Sequence, residues 1–481
     1  MVANLNLGEL IDKHNLYAEL IGGKFGIELE THRVTRKGRL SRINHSEKLG
    51  SRQIHPYLQT DYSETQAELV TEAVGSFEEA RDRLLQLQWI LRSYMADDES
   101  VWPLSMPPQL KKDDLQWLDE TFERTWVQDY RDWLLHKYGS THEIMTGVHL
   151  NYSLSDTLLQ HLFEASYRTD FKEFKNDVYF HIARQIVAHS WFFDYLFGAA
   201  PFNLNDSDSR TPQFTKPVRS LRTSEYGFVN DQGEKVAYDS NYVDHQRRIE
   251  QLISQGKLFS EHEIYGPVRF KRKTDDDDEI DYLEIRILDT NPFDIAGISE
   301  NDLNLIHLLL IYFLISDDEL TEDSLQSNEK LANDVSLQQP TETLANKKDA
   351  LAIMQDISRL ADHFGMRFND GLSLITDRVL TPTKTPAAKM ISAAPSVTDM
   401  QTWATTLGNE RTDYFKAHKE ELFRDYFGEG NLAQVVHDAI VAGIRVLDFD
   451  SQQVSLKFGD HLEVVTESTD IRQLFPELDI Y

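Results

Sequence analysis

The chain has 481 residues, 40% of them apolar, enough to bury a sizeable core in one large domain or in two to three ordinary ones. Lys plus Arg number 49 and Asp plus Glu 80, a net charge of −31, and that field argues against nucleic acid or an anionic membrane as the main partner. There is no cysteine, which excludes disulfides, thiolate metal sites and cysteine nucleophiles.

A local cation site can overrule the global sign, so a nucleotide remains admissible. No basic-then-apolar leader opens the sequence. The most apolar segment, 303–315, is shorter than the roughly 20 residues that cross a bilayer. It reads as a buried core helix, and a soluble, cytoplasmic protein is expected.

In chain order, residues 5–20 read as a short amphipathic helix closed by Gly22-Gly23. Phe25-Gly26-Ile27-Glu28-Leu29-Glu30-Thr31-His32-Arg33-Val34 then alternates with the period of a half-buried strand. Phe25, Ile27 and Leu29 share one face; Glu28, Glu30 and His32 share the other. Strand rise sets the two carboxylates about 7 Å apart, where they repel unless a cation sits between them. The wet face of an edge strand explains the same pattern. Lys37-Gly38 is a turn, and 49–59 is irregular. In 60–71, Asp61, Glu64 and Glu68 fit one helical face, and the alternation at 66, 68 and 70 fits a strand equally well.

Ser76-Phe77-Glu78-Glu79 is a capping box opening a helix with the stripe Leu84, Leu87, Leu91, Tyr94. Residues 113–138 read as a second, aromatic-rich helix ended by Tyr138-Gly139. Residues 146–153 read as a strand with His149, Asn151 and Ser153 on one face, 155–200 as mostly helical, and 201–240 as loop. A helix at 242–255 precedes strand-like stretches at 262–273 and 279–288, joined by the acid run 275–278, a solvated turn. From 299 onward helices dominate, with 321–339 polar enough to be disordered or an exposed insertion. Irregular strand spacing disfavours a βαβ succession. It favours an α+β fold: an antiparallel sheet surrounded by many helices.

Strand-like segments thus offer hard-metal ligands at Glu28 and Glu30, at Asp61, Glu64 and Glu68, at His149 and at Glu284, which alternates with Arg286 on one strand face. Carboxylates with one imidazole suit magnesium or manganese, and cations bridging phosphate oxygens with an arginine serve phosphoryl transfer. A lone strand histidine is more often a satisfied core group, and periodicity does not show that these segments meet. No Walker or kinase glycine loop, dinucleotide fingerprint or nucleophile elbow is present.

The run Gly26 to Val34 resembles the N-terminal signature of bacterial glutamate–cysteine ligases. In the same order, and similar to that family, follow Leu49-Gly50-Ser51, His55-Pro56-Tyr57, Thr60-Asp61-Tyr62-Ser63-Glu64 with Glu68, and Tyr130-Arg131 with Tyr138-Gly139. Next come Gly147 to Ser153, Ser220-Leu221-Arg222-Thr223-Ser224, Glu263-Ile264-Tyr265 with Arg269 and Lys271, and Tyr282 to Phe293. The resemblance spans roughly residues 20–300 and leaves a mainly helical remainder, 301–481.

It implies a glutamine synthetase-like fold related to the guanidino kinases, with an antiparallel sheet forming a funnel-like active site. It implies ATP-dependent joining of the γ-carboxylate of L-glutamate to the amine of L-cysteine, the first step of glutathione synthesis, with two or three Mg2+ (Mn2+ as a substitute). The family's metal ligands fall on Glu28, Glu30, Asp61, Glu68, His149 and Glu284. Its phosphate-contacting arginine falls on Arg286, with Arg131 and Lys271 near the nucleotide; Glu28, Glu284 and Arg286 form the catalytic set. Substrate contacts fall on Arg222, Tyr265, Tyr62 and Tyr130. Two departures concern substrate contacts: Phe228 stands where the family has tyrosine, and Glu143 near a common glutamine. One catalytic domain over 1–481 without a C-terminal ATP-grasp module is expected. The alternatives are a related carboxylate–amine ligase using another amine, or a non-catalytic glutamate- or nucleotide-binding regulator.

Overall fold

Strand β1, Gly23–Thr35, is the axis of the fold. Its Phe25, Ile27 and Leu29 are buried, and the Phe25 ring meets Phe77 at 4.6 Å and His307 at 4.9 Å between centroids. Burying such a side chain stabilises by about 1.5–3 kcal/mol. The computed structural model describes residues 5–480 apart from 123, 206–213, 215, 232, 275–277, 319, 450 and 451. The acid run at 275–277 lies outside the described residues.

The following strands are β2 Leu58–Thr60, β3 Gln66–Val70, β4 Glu99–Val101, β5 Val148–Leu154, β6 Val268–Arg272 and β7 Ile280–Leu288. They form an antiparallel sheet in the order β2-β3-β1-β5-β7-β6, with β4 pairing the far end of β1. Residues 60–71 thus form a tight β2–β3 hairpin, resolving an ambiguity that local periodicity leaves open. The apolar sheet face packs on helices α2 Phe77–Tyr94, α5 Phe171–Ala188, α6 Ser190–Phe197 and α7 Glu300–Ile315; α1 is Leu7–His14. Ser76 caps α2 through the Glu79 N–H at 3.1 Å.

Four expectations are corrected. The opening helix is short, because Asn15 leaves it in a left-handed conformation. The helix expected over 113–138 is broken into α3 Lys112–Glu120 and α4 Gln128–Lys137. The break lets Arg124 reach back and donate to the carbonyls of Thr60 and, at 3.2 Å, Asp61. The polar stretch 321–339 is an ordered helix, α8 Glu322–Ser336, whose Leu325, Ala332 and Val335 are buried. Its last carbonyl, on Ser336, accepts from the N–H groups of Arg219 and Ser220. The helical run of the C-terminal region is interrupted after Ala442 by a separate meander, β8 Arg445–Phe449, β9 Val454–Phe458 and β10 His461–Val465, before short helical turns at Ile471–Leu474 and Pro476–Ile480. Gly459, at φ +57°, makes its tight β9–β10 turn.

Candidate active site

The polar face of β1 forms the floor of a cavity of about 1150 Å³, and every residue to which the family resemblance gives a site role borders it, while Glu64 does not. Pairing across the sheet brings the acids together. Glu28 lies opposite His149 on β5, Glu30 opposite Glu68 on β3, and Glu284 on β7 opposite Asn151. His149 Nδ1 is 3.5 Å from Glu28 Oε2 and 3.7 Å from Glu284 Oε1, and its Nε2 is 3.8 Å from Glu30 Oε1. Asn151 donates to Glu28 Oε1 at 2.7 Å and fixes that carboxylate. Asp61 enters from the β2–β3 turn, held by Gln66 Nε2 at 3.1 Å.

A β-bulge aims the basic group. Leu150 pairs with Ile285 and Val148 with Leu288, so Arg286 and Ile287 together oppose His149. Ile287 therefore borders the cavity as well, departing from simple alternation. Arg286 Nη1 donates to Glu284 Oε1 at 3.0 Å, while Arg269 and Lys271 on β6 stand 3.5 and 3.7 Å from Glu284 Oε2.

The charge balance is lopsided. Burial and the neighbouring Asp61 push Glu30 up to about 8, against the pull of Arg286 and Arg222. Burial and the charges of Asp61, Glu28 and Glu30 raise Glu68 well above the carboxylate range. Burial likewise raises Asp61. Burial penalises Glu284 too, but Arg286, Arg269 and Lys271 overcome it and hold Glu284 well below its ordinary value. Burial opposes the charge on Arg286, and the summed field of Glu284, Glu30, Glu28 and Asp61 outweighs it. Burial and Arg286 lower His149 to about 4, leaving a neutral imidazole able to ligate.

These groups fit a hard divalent cation. Donor atoms of Glu28, His149 and Glu284 lie within 4.8 Å of one another, and Glu284 Oε2 is buried without a hydrogen bond. The carboxylates with raised values are those whose ionised form a cation would stabilise. The sign follows: near pH 7 the cation-free site holds a proton on Glu30, and a cation displaces it. Titrating Mg2+ into the metal-free protein is expected to release protons, read as a buffer-dependent heat in calorimetry. Affinity should rise with pH up to about 8, the value for Glu30.

The remaining candidates line the other walls. Arg222 donates to the carbonyls of Leu288 at 3.2 Å and Arg286 at 3.0 Å. Tyr265 donates to Glu143 at 2.9 Å. Arg131 points back along the helix break, donating to the Leu118 carbonyl and lying 5.1 Å from the Tyr62 ring centre, so it borders the aromatic end of the cavity. Tyr130 packs on Phe259 at 5.3 Å.

Two motif acids and bases are scaffold. Glu64 is buried against Arg52, and its carbonyl accepts from Arg33, which also pairs with Glu99 at 2.7 Å. His32 is buried, with Nε2 on the Ile144 carbonyl at 2.7 Å. Sequence reasoning did not assign site roles to Arg124, Arg269, Asn151 or α8. Arg269 and Asn151 did carry a signal, each alternating with a named candidate on its strand face.

Comparison with known proteins identifies the family. The family model "Glutamate-cysteine ligase" matches residues 9–257 and 234–335. The "Glutathione biosynthesis bifunctional protein GshAB" of Streptococcus thermophilus is 33% identical over 485 residues, covering 96% of this chain and 62% of its own length. The corresponding protein of Enterococcus faecalis is 32% identical, with the same coverage. Among solved structures, a bifunctional glutathione synthetase from Pasteurella multocida superposes with a TM-score of 0.86 at 27% identity, over 97% of this chain and 64% of that one. A Francisella tularensis glutamate–cysteine ligase in complex with AMP shares the fold, with a TM-score of 0.72 at 22% identity, over 89% and 96% of the two chains. The fold is of the glutamine synthetase-like kind, and the family is one of ligases. The chain belongs to the glutamate–cysteine ligase family. It spans about 62% of the length of the curated relatives it matches. Among the described residues no helix is long and apolar enough to cross a membrane.

Proposed function

We propose that the chain catalyses ATP-dependent ligation of the γ-carboxylate of L-glutamate to the amine of L-cysteine, giving γ-glutamylcysteine, ADP and phosphate. The observation that carries this is the meeting, in one cavity, of the acids on β1, β3 and β7 with His149 and Arg286. Family membership supplies the substrates.

Glu28, His149 and Glu284 would hold one magnesium ion, and Glu30, Asp61 and Glu68 offer donors for one or two more; manganese suits the same donors. Held by these donors, magnesium would supply the positive charge that neutralises the polyphosphate and the glutamate carboxylate. Arg286 stabilises the phosphoryl group as it leaves ADP for the γ-carboxylate, and Lys271 and Arg269 supply further positive charge beside it. Arg222, pinned by two carbonyls, orients the glutamate carboxylate. Tyr62, Tyr130, Tyr265 and Phe228 wall the acceptor end. The cysteine amine then attacks the γ-glutamyl phosphate, and phosphate leaves.

Incubating the protein with ATP, magnesium, L-glutamate and a panel of amines tests this. Phosphate release must depend on glutamate and prefer cysteine; indifference to cysteine, or preference for another amine, overturns it.

Gly147 gives a sharper expectation. A methyl there would stand 2.2 Å from Arg222 Nη2 and 2.5 Å from its Cζ, and the guanidinium is anchored. Gly147→Ala should displace Arg222 and raise KM for glutamate by roughly 10- to 100-fold, the scale of a 1 Å misplacement. KM for ATP should change far less in the same steady-state assay.

A further inference from the structure

Beyond the cation end, the acids that border the cavity have partners in the protein. Glu143 accepts from Tyr265 at 2.9 Å, Glu225 from Asn333 at 3.2 Å and Glu322 from Gln326 at 3.2 Å. Glu329 pairs with Lys235, and Asp239 with Arg248 at 3.2 Å. Asp194, on α6, differs from these. It is 2% exposed, it borders the cavity, and its Oδ1 makes no hydrogen bond. Burial, above all, and the charge of Asp289 raise it well above the carboxylate range, while Thr223 and Arg222 pull the other way and do not prevail. A buried carboxyl left without its partner is costly, and at the edge of a substrate cavity it points to a partner on the ligand.

Asp194 stands at the same end of the cavity as Arg222, and each feels the charge of the other. Thr223, next in the chain, also borders the cavity, with its Oγ1 buried and without a hydrogen bond. Arg222 donates to the carbonyls of Leu288 and Arg286, and its Nε is buried without a partner, so donors remain for a carboxylate. Asp289 backs that guanidinium: one oxygen lies 3.7 Å from Arg222 Nη1, and the other accepts from the Ala199 N–H at 2.7 Å. The wall thus sets a guanidinium with donors to spare beside an uncompensated carboxyl and an unpaired hydroxyl.

An α-amino acid carries its carboxylate and its ammonium on one carbon. Whatever reads the ammonium must therefore stand beside the arginine that takes the carboxylate. We propose that Asp194, with Thr223, reads the α-ammonium of the glutamate whose α-carboxylate Arg222 holds, and so selects an amino acid as the acyl donor. This rests on the ligase reading and deepens it. The ammonium supplies the counter-charge that the protein withholds from Asp194, which gives up its proton to solvent as the ion pair forms. A head held at this wall sends the γ-carboxylate toward Arg286, whose carbonyl Arg222 already holds. The metal-ligating acids are then left to the ions.

Glutarate, which is glutamate without its amino group, tests this. The quantity read is the ratio of kcat/KM for glutamate to kcat/KM for glutarate, with cysteine as acceptor. In the wild type it should be about 10²-fold or more, since glutarate leaves a buried polar group unpaired. Asp194→Asn keeps the shape, and the fold tolerates it because burial already favours an uncharged side chain there. It should lower the ratio by about 100-fold, through a higher KM for glutamate, with a far smaller change on glutarate. An unchanged ratio overturns the proposal. So do equal losses on both donors, the mark of a merely structural role or of a bond to the carboxylate. A wild type that uses both donors equally overturns it too. If Asp194→Asn does not fold, Thr223→Val is read by the same ratio: a fall of about 10-fold is expected from the lost second acceptor, and no fall overturns the proposal. The two readings fail separately. A wild type that makes no γ-glutamylcysteine refutes the ligase reading, whereas a working ligase whose ratio the variant does not move refutes the role of Asp194 alone.

Discussion

Arg286→Ala is expected to lower turnover by about 10³-fold or more, the scale on which a phosphoryl-stabilising arginine acts. The group cannot lose its charge in this site: Glu284, Glu30, Glu28 and Asp61 all favour its cationic form. Its position is also backbone-determined, since the β7 bulge opposite His149 places it on the cavity floor beside Glu284. Two explanations of the lost turnover make opposite demands on the metal. If Arg286 served mainly to assemble the acid cluster, its removal would weaken cation binding. The charge balance predicts otherwise: subtracting a positive charge from a cluster of acids leaves Mg2+ affinity equal or higher. A magnesium titration of turnover should therefore show an unchanged or lower half-saturating concentration beneath a much lower kcat. Arg286→Lys should recover part of the loss, because a point charge remains while the planar fork does not.

The floor of this site was legible in the sequence for a definite reason. The polar–apolar alternation from Phe25 to Val34 and from Val148 to Ser153 is local, and strand period alone assigns Glu28, Glu30 and His149 to polar faces. That these faces meet is a long-range fact, and it came from resemblance, not from period. Asp61 and Glu68 were ambiguous because 60–71 carries helical and strand spacings at once; only the β2–β3–β1 pairing decides. The break between α3 and α4 is invisible in the sequence because aromatic periodicity runs through it, and the contact it permits, Arg124 on the Thr60 carbonyl, joins residues 64 apart. Helix α8 reads in the sequence as disordered or an exposed insertion because most of its surface is wet; Leu325, Ala332 and Val335 are a thin stripe. The C-terminal meander did carry a signal: Gly459-Asp460 between the alternating stretches 454–458 and 461–465 is hairpin chemistry, overlooked behind a long helical run.

Glu284→Gln should be nearly as damaging as loss of Arg286, and for a separable reason. Glu284 has two jobs that share one charge. Its Oε1 faces His149 Nδ1 at 3.7 Å and accepts from Arg286 at 3.0 Å; its Oε2, without a hydrogen bond, looks toward Arg269 and Lys271. Removing one partner of a buried ion pair commonly costs about 3–5 kcal/mol. Here the cost should be smaller, because Glu30, Glu28 and Asp61 still surround Arg286 and the change relieves the repulsion that Glu284 exerts on Glu28. The metal-free variant should therefore fold with only a modest shift in Tm. The cation suffers fully: one of three clustered ligands becomes a neutral amide, and Arg269 and Lys271 lose their counter-charge beside it. Turnover should fall by about 10²–10³-fold, the scale for a lost electrostatic group in such a site. The stabilisation that Mg2+ gives the wild type in thermal melts should largely vanish. A variant that keeps this magnesium-dependent rise in Tm would remove Glu284 from the metal site. Opposite magnesium responses in Arg286→Ala and Glu284→Gln, at comparable losses of turnover, would place the two neighbours on different sides of the chemistry: one on the phosphoryl group, the other on the ion.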